Sequence, residues 1–255
     1  MSRILNLVRN ARVRKRIKQA YLVQHPTGLL MDWSREVHFL HIGKCAGSQI
    51  RAVIARLSAD PELPIRAHGH AIKLHHLPGR PRYFFSIRKP EARFVSAFYS
   101  RKNQGLPLRL HPWHGPETVA FGRFQHANDL AEALFAPGAD GAAALQAMKA
   151  IHHLNDDQID WFLMRADLFG AYAPLAILRQ EHLQADLGAL LVRLGVPDRA
   201  EALLADTGEM RNATDGLDKP PLSPLARENL ARWYAQDSAF YAVCEHWIAE
   251  RQAMA

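Results

Sequence analysis

The stretch His38-Phe39-Leu40-His41-Ile42-Gly43-Lys44-Cys45-Ala46-Gly47-Ser48 constrains this chain more than any other. Val37 to Ile42 is an apolar run of strand length. Gly47 to Leu57 places Ile50, Val53, Ile54 and Leu57 at the spacing of a helix with one inward face. A strand that enters a helix through a tight turn of small residues aims backbone N–H groups and the positive helix end at one spot, a geometry that suits a phosphate-like anion. Ala46 and Gly47 let the backbone come close, Lys44 adds a point charge and Ser48 a hydroxyl. The lysine follows Gly43 and precedes Gly47, so this is not the GxxxxGK[ST] loop. Read alone, the turn is equally a generic strand-to-helix connection with an incidental lysine.

A second stretch, Tyr83 to Lys102, repeats the pattern. Tyr83 to Ile87 reads as a strand ending at Arg88, where ligands of parallel sheets bind. Pro90 opens a helix at a position that tolerates proline and the helix runs to about Ser100. Ser96, two turns in, can face the same crevice, and an arginine with a hydroxyl suits a terminal phosphate. Taken alone, surface pairing of Arg88 and Arg93 with acids is the better explanation of them. Two anion sites in one α/β domain suggest a nucleotide with phosphates at both ends.

Elsewhere the pattern is helical. Residues 66 to 82 are rich in histidine, with Gly79-Arg80-Pro81 as a turn. Residues 103 to 118 read as a long basic loop, and helices are expected at about 126–135, 140–152 and 156–163. Leu175 to Leu178 is a short strand and Leu183 to Leu194 a helix stopped by Gly195. Residues 206 to 224 are loop-like and Leu225 to Ala249 is a final helical region. The expected architecture is a three-layer, P-loop-like α/β domain over residues 31–255. Its central, mainly parallel sheet is flanked by helices, and its C-terminal half is helix-rich.

The net charge of +7 sits in a basic N-terminal arm, residues 1–30. Residues 1 to 22 hold seven basic residues and no acid; without them the basic count equals the acidic count of 25. The body is therefore neutral and carries no argument for a nucleic-acid partner. Residues 1–22 read as a basic helix with an interrupted apolar face. A solvated arm packed on the body or on a partner subunit is favoured, with peripheral contact with an anionic membrane surface as the alternative. The two cysteines, Cys45 and Cys244, form no CxxC, and there is no run of 18 apolar residues. A reduced, cytoplasmic compartment is the default expectation, with peripheral placement at the inner membrane surface as the alternative.

Together the two motifs resemble the sulfotransferases that use 3′-phosphoadenosine 5′-phosphosulfate, closest to the carbohydrate sulfotransferases of the heparan sulfate 2-O type. Their first motif reads approximately hhHIPKTAGTSL, matching Phe39 to Ile50; their second, approximately hRDPhxRhhSxYY, matches Ile87 to Tyr99. The resemblance spans roughly residues 37 to 245 and is strongest before 102. It implies that Lys44, Cys45, Ala46, Gly47 and Ser48 hold the 5′-phosphosulfate and that Arg88 and Ser96 hold the 3′-phosphate. In Ala67-His68-Gly69-His70 it implies a catalytic base at His70, with Lys44 at the leaving group. Leu178 to Leu183 resembles the family's strand ending in an acid, here Glu181. Arg211-Asn212-Ala213-Thr214 resembles a late loop near the nucleotide, so Arg211 and Asn212 join the donor site. This chain departs from the pattern with Gly43 for proline, Cys45 and Ser48 for threonines, Gln49 for serine and Lys89 for the aspartate after the arginine.

The implied activity is sulfuryl transfer to a hydroxyl of a saccharide or glycoconjugate, leaving 3′-phosphoadenosine 5′-phosphate, with no metal. Arg101, Lys102, Arg109, His111 and His114 are the candidates for an anionic acceptor; a solvated basic loop is the alternative. His68, His70, His75 and His76 form the densest histidine group, but no HExxH and no carboxylate completes a metal set. His152 and His153 read as helix surface. A nucleotide kinase or other P-loop NTPase, or a non-catalytic nucleotide-binding protein of the same fold, are the alternatives. The sequence does not fix the oligomeric state.

Overall fold

Parallel pairing needs crossover connections, and α-helices supply two of the three among the described residues. A computed structural model of the protein describes residues 36–57, 63–77, 80–106, 110–162, 173–205 and 216–254. The N-terminal arm and the Gly79 turn lie outside these residues. Strands β1 (Val37–Leu40), β2 (Ile65–Ala67), β3 (Arg82–Ile87) and β4 (Ala176–Arg179) form one all-parallel sheet in the order β2-β1-β3-β4. Helix α1 (Gly47–Leu57) carries the chain from β1 out to β2; the chain then crosses back to the other side of β1 to form β3. The sheet order therefore reverses between β1 and β3, and the crevice at their carboxyl ends is where such sheets bind ligands.

Side chains alternate across β3 as a strand requires. Tyr83, Phe85 and Ile87 face a core with Phe240, Tyr241, Cys244 and Trp247 of α9 (Ala235–Ala253). Phe84 faces the opposite core, with Ile50, Val53 and Ile54 of α1 and Leu187, Leu190 and Leu191 of α6 (Leu183–Arg193). The sheet is thus covered on both faces, which is why all four residues of β1 are buried. A short α7 (Ala200–Ala205) adds Leu203 to that second core.

A third core belongs to helices alone. It joins α2 (Pro90–Lys102), α3 (Gly115–Arg123), α4 (Ala127–Ala133), α5 (Gly138–Ala150) and α8 (Pro224–Trp233) through Phe94, Phe98, Phe121, Leu130, Met148 and Leu230. The expected long loop at 103–118 ends early. Gly115 and Pro116 occupy the first turn of α3, where proline is tolerated, and His114 caps it by accepting from the N–H of Glu117 at 3.3 Å. The expected helix at 156–163 is a 3₁₀ turn, Gln158–Trp161. The final helical region divides at Tyr234, whose hydroxyl donates to the carbonyl of Leu154 at 2.9 Å. Among the described residues no helix is long and apolar enough to cross a membrane.

Candidate functional site

The turn after β1 is curled by two non-glycine residues in the left-handed region, Lys44 (φ 68°) and Ala46 (φ 60°). Such backbone costs on the order of 1–3 kcal/mol per residue and persists where its surroundings hold it. Here the hold is explicit. Arg93, buried on α2, donates through Nε to the carbonyl of Gly43 at 3.0 Å and through Nη1 to that of Asp156 at 2.7 Å, and its guanidinium lies 3.7 Å from Asp237. Ser86 of β3 donates its hydroxyl to the carbonyl of Cys45 at 2.5 Å. Arg93 pairs with a buried acid of α9, not with the surface acid considered from sequence.

Both glycines of the turn are required by histidine rings. A Cβ on Gly47 would lie 1.7 Å from Nε2 of His41, and one on Gly43 would lie 2.5 Å from Nδ1 of His153. At Gly43 the His153 ring occupies the space that a side chain would need.

Arg88 extends from the end of β3 to this turn, its Nη1 donating to the carbonyl of Lys44 at 3.4 Å. Burial and the neighbouring Arg88 guanidinium lower the Lys44 ammonium to about 8. Among the described residues Nε of Arg88 is buried with no hydrogen-bond partner. Two half-buried cations in contact distance of one turn, with an orphaned donor between strand end and helix, form a place for an anion.

Gln158, which the sequence reading missed, ties this arrangement together. Its amide accepts from the N–H of Arg88 and donates to the carbonyl of Arg88, both at 2.9 Å. Its Oε1 also receives the Cys45 thiol at 3.3 Å, and its own backbone N–H donates to Asp237 at 2.6 Å. No periodicity marks such a residue, since its partners are remote in sequence. The Cys45 side chain consequently points into the core, where burial pushes its thiol up to about 12. Cys45 therefore offers the turn only its backbone. Lys89 is exposed, and Glu181 accepts from its N–H at 2.8 Å, so the start of α2 is anchored by the acid at the end of β4. Ser48 is exposed in the first turn of α1 and Ser96 is half-buried on α2.

His70 stands beside the turn. Its Nδ1 lies 2.9 Å from the carbonyl of His41 and must donate to it, which leaves Nε2 as the basic nitrogen. Burial lowers its pKa; the His41 carbonyl and Asp156 oppose that, while Lys44 and Arg51 add to it. Its ring lies 4.1 Å from that of His41 and 5.1 Å from that of His153. His68 turns away to His38, ring nitrogens 3.0 Å apart, and the His75 and His76 rings lie against each other at a tilt of 54°. The four histidines grouped in the sequence therefore do not converge.

His152 and His153 lie in a turn beyond α5, not on its surface. They and Asp156 offer ligand atoms within 4.8 Å of one another, the one such histidine-containing set among the described residues. His153 sits under the influence of Arg93 and Lys44, which disfavours a divalent cation there.

A cleft of about 1000 Å³ opens from His70, His152, His153 and Asp156 along α3 and α5. His114 lines it; His111 is exposed outside it. Arg101 is occupied by the buried Glu117, to which Nε donates at 2.8 Å, and Lys102 donates to Gln125 of the α3–α4 connection. Neither reaches the cleft. Arg109, Arg211 and Asn212 lie outside the described residues. Compared with protein-family models and with curated proteins, the chain matches none.

Proposed function

We propose that the chain is a sulfotransferase that moves a sulfuryl group from 3′-phosphoadenosine 5′-phosphosulfate to a hydroxyl of a saccharide or glycoconjugate, on a P-loop-like fold. The observation that carries the reading is the convergence of Lys44, Arg88 and His70 at the point where the sheet order reverses. The residues fit the donor. In the curled Gly43–Gly47 turn histidine rings take the space beside both glycines, Lys44 supplies positive charge, and the orphaned Nε of Arg88 is a donor that an oxyanion would satisfy.

When bound, the donor supplies a sulfuryl group for in-line displacement, close in logic to phosphoryl transfer. Lys44 holds positive charge where negative charge grows on the leaving oxygen. Arg88 binds the distant phosphate and fixes the nucleotide's orientation. His70, held by the His41 carbonyl with Nε2 unprotonated, takes the proton from the attacking hydroxyl. The cleft beside it admits the acceptor.

The test is transfer of labelled sulfate from the donor to an acceptor pool by wild type and His70→Ala. The variant is expected to lose turnover and keep nucleotide binding. Loss of both together would make His70 structural; turnover kept in the variant would remove it from the mechanism.

A further inference from the structure

His153 is a buried imidazole to which the transfer scheme above gives no task. It stands between the two halves of the site. On one side its ring meets Gly43 of the turn. On the other it lies 5.1 Å from the ring of His70, and it lines the cleft. The ring of His152 packs against it at 3.7 Å, which limits how it can rotate.

Gly43 determines which ring nitrogen carries the proton. The edge of the ring that faces the glycine holds Nδ1 and Cε1; a Cβ on Gly43 would lie 2.5 Å from the first and 2.7 Å from the second. An α-hydrogen takes that direction instead. A nitrogen lone pair accommodates a C–H aimed at it, whereas an N–H in the same place would collide with it. Nδ1 is also buried with no hydrogen-bond partner among the described residues, so a proton there would be an unpaired buried donor. Burial lowers the ring's pKa well below 6.5, and His152, His70, Arg93 and Lys44 add to that. The ring is therefore neutral near pH 7 and has one proton to place, on Nε2, the nitrogen farther from Gly43.

We propose that His153 is a second catalytic histidine, whose neutral Nε2–H donates a hydrogen bond to an oxygen of the sulfuryl group in transfer. This rests on the reading of the site as that of a sulfotransferase. The S–O bond to the acceptor forms as the S–O bond to the 5′-phosphate breaks, and His70 takes the acceptor's proton. His153 neither gains nor loses a proton. It meets charge on the oxygens that stay with sulfur, while Lys44 meets the charge on the leaving oxygen. A neutral donor suits this place, because a cation beside His70 would weaken the base.

The experiment compares His153→Gln with His153→Asn. A glutamine amide nitrogen reaches about as far as imidazole Nε2, and an asparagine amide nitrogen about as far as Nδ1. The backbone ranks the two the other way, because His153 has φ 74° and asparagine adopts that region more readily than glutamine. Transfer of labelled sulfate from 3′-phosphoadenosine 5′-phosphosulfate is followed to water and to methyl glycosides. Binding of the bisphosphate product, which has no sulfuryl group, is followed by calorimetry. His153→Asn is expected to lose about 10²- to 10³-fold in kcat, and His153→Gln to keep about tenfold more of the rate. Bisphosphate affinity should stay within about twofold of wild type in both. His153→Asn turning over at least as fast as His153→Gln, or bisphosphate affinity falling in step with kcat, would overturn the proposal and make His153 structural. Nitrogen NMR of the wild-type histidines, assigned by the signals lost in His153→Gln, reads the tautomer without reference to activity. The Nε2–H form is expected, and the Nδ1–H form would overturn the proposal whatever the kinetics. Wild type that cleaves no donor would overturn the sulfotransferase reading itself, and the role of His153 with it, whichever tautomer is found.

Discussion

Arg88 Nη1 donates to the carbonyl oxygen of Lys44 across 3.4 Å, joining two turns 44 residues apart. The contact brings two cations onto one backbone turn, and Gln158 holds the Arg88 peptide from both sides. On the proposed reading, the phosphates of the donor nucleotide would balance these two cations.

Arg88→Ala is expected to weaken binding of 3′-phosphoadenosine 5′-phosphate about 10- to 100-fold, the worth of one or two hydrogen bonds to a charged group. The thermal midpoint should stay near wild type, because the core does not depend on this half-buried side chain. Unchanged affinity would take Arg88 out of the site.

On the proposed mechanism, the pH dependence of kcat/KM follows from two groups. His70 must be neutral, and burial lowers its pKa from 6.5, so the acid limb should fall below pH 6.5. Lys44 must be protonated and its ammonium titrates at about 8, so the rate should decline as the pH passes 8. Lys44→Ala should lower the plateau and remove the alkaline limb. An alkaline limb that survives in that variant would belong to another group.

Stability should fall on acidification. Burial holds His41 at about 3 and His68 and His76 at about 4, against 6.5 in the unfolded chain. The unfolded chain therefore binds more protons below pH 6.5, and the contribution present above that value is lost as the pH drops toward 4. Asp157, raised to about 6 by burial, and Asp237, also raised by burial, work the other way but are outnumbered by the buried histidines. Thermal scans should give a lower midpoint at pH 5 than at pH 7.5; a higher one would contradict the neutral histidine cluster.

The Arg93–Asp237 pair is buried on both sides, with side chains 2% and 0% exposed. Arg93→Ala should cost about 3–5 kcal/mol in denaturant unfolding, since Asp237 would be left as an uncompensated buried acid. A loss under 1 kcal/mol would mean that Asp237 is protonated in the folded protein.

Much of the sheet region was legible because its signals are local. The apolar run before Gly43 and the 3.6-residue spacing of Ile50, Val53, Ile54 and Leu57 are enough to place β1 and α1, and the aromatic run before Arg88 places β3. Strand β2 escaped because it is three residues long and only Ile65 is buried. Arg66 pairs with Glu36 at the sheet edge and reads as surface. Helix α3 was hidden by Gly115 and Pro116, which mark a turn and here begin a helix. In the site, the small residues and the lone lysine were visible, while Gln158 and His153 were not. Their roles come from contacts 70 residues or more from their own place in the chain, with Arg88 and Gly43.

The most direct test is calorimetric titration of the purified protein with 3′-phosphoadenosine 5′-phosphate, with ATP as comparison. Tight binding of the bisphosphate and little of ATP is the result expected of a site in which Lys44 and Arg88 read phosphates at opposite ends of the nucleotide. No binding, or a preference for ATP, would contradict that account.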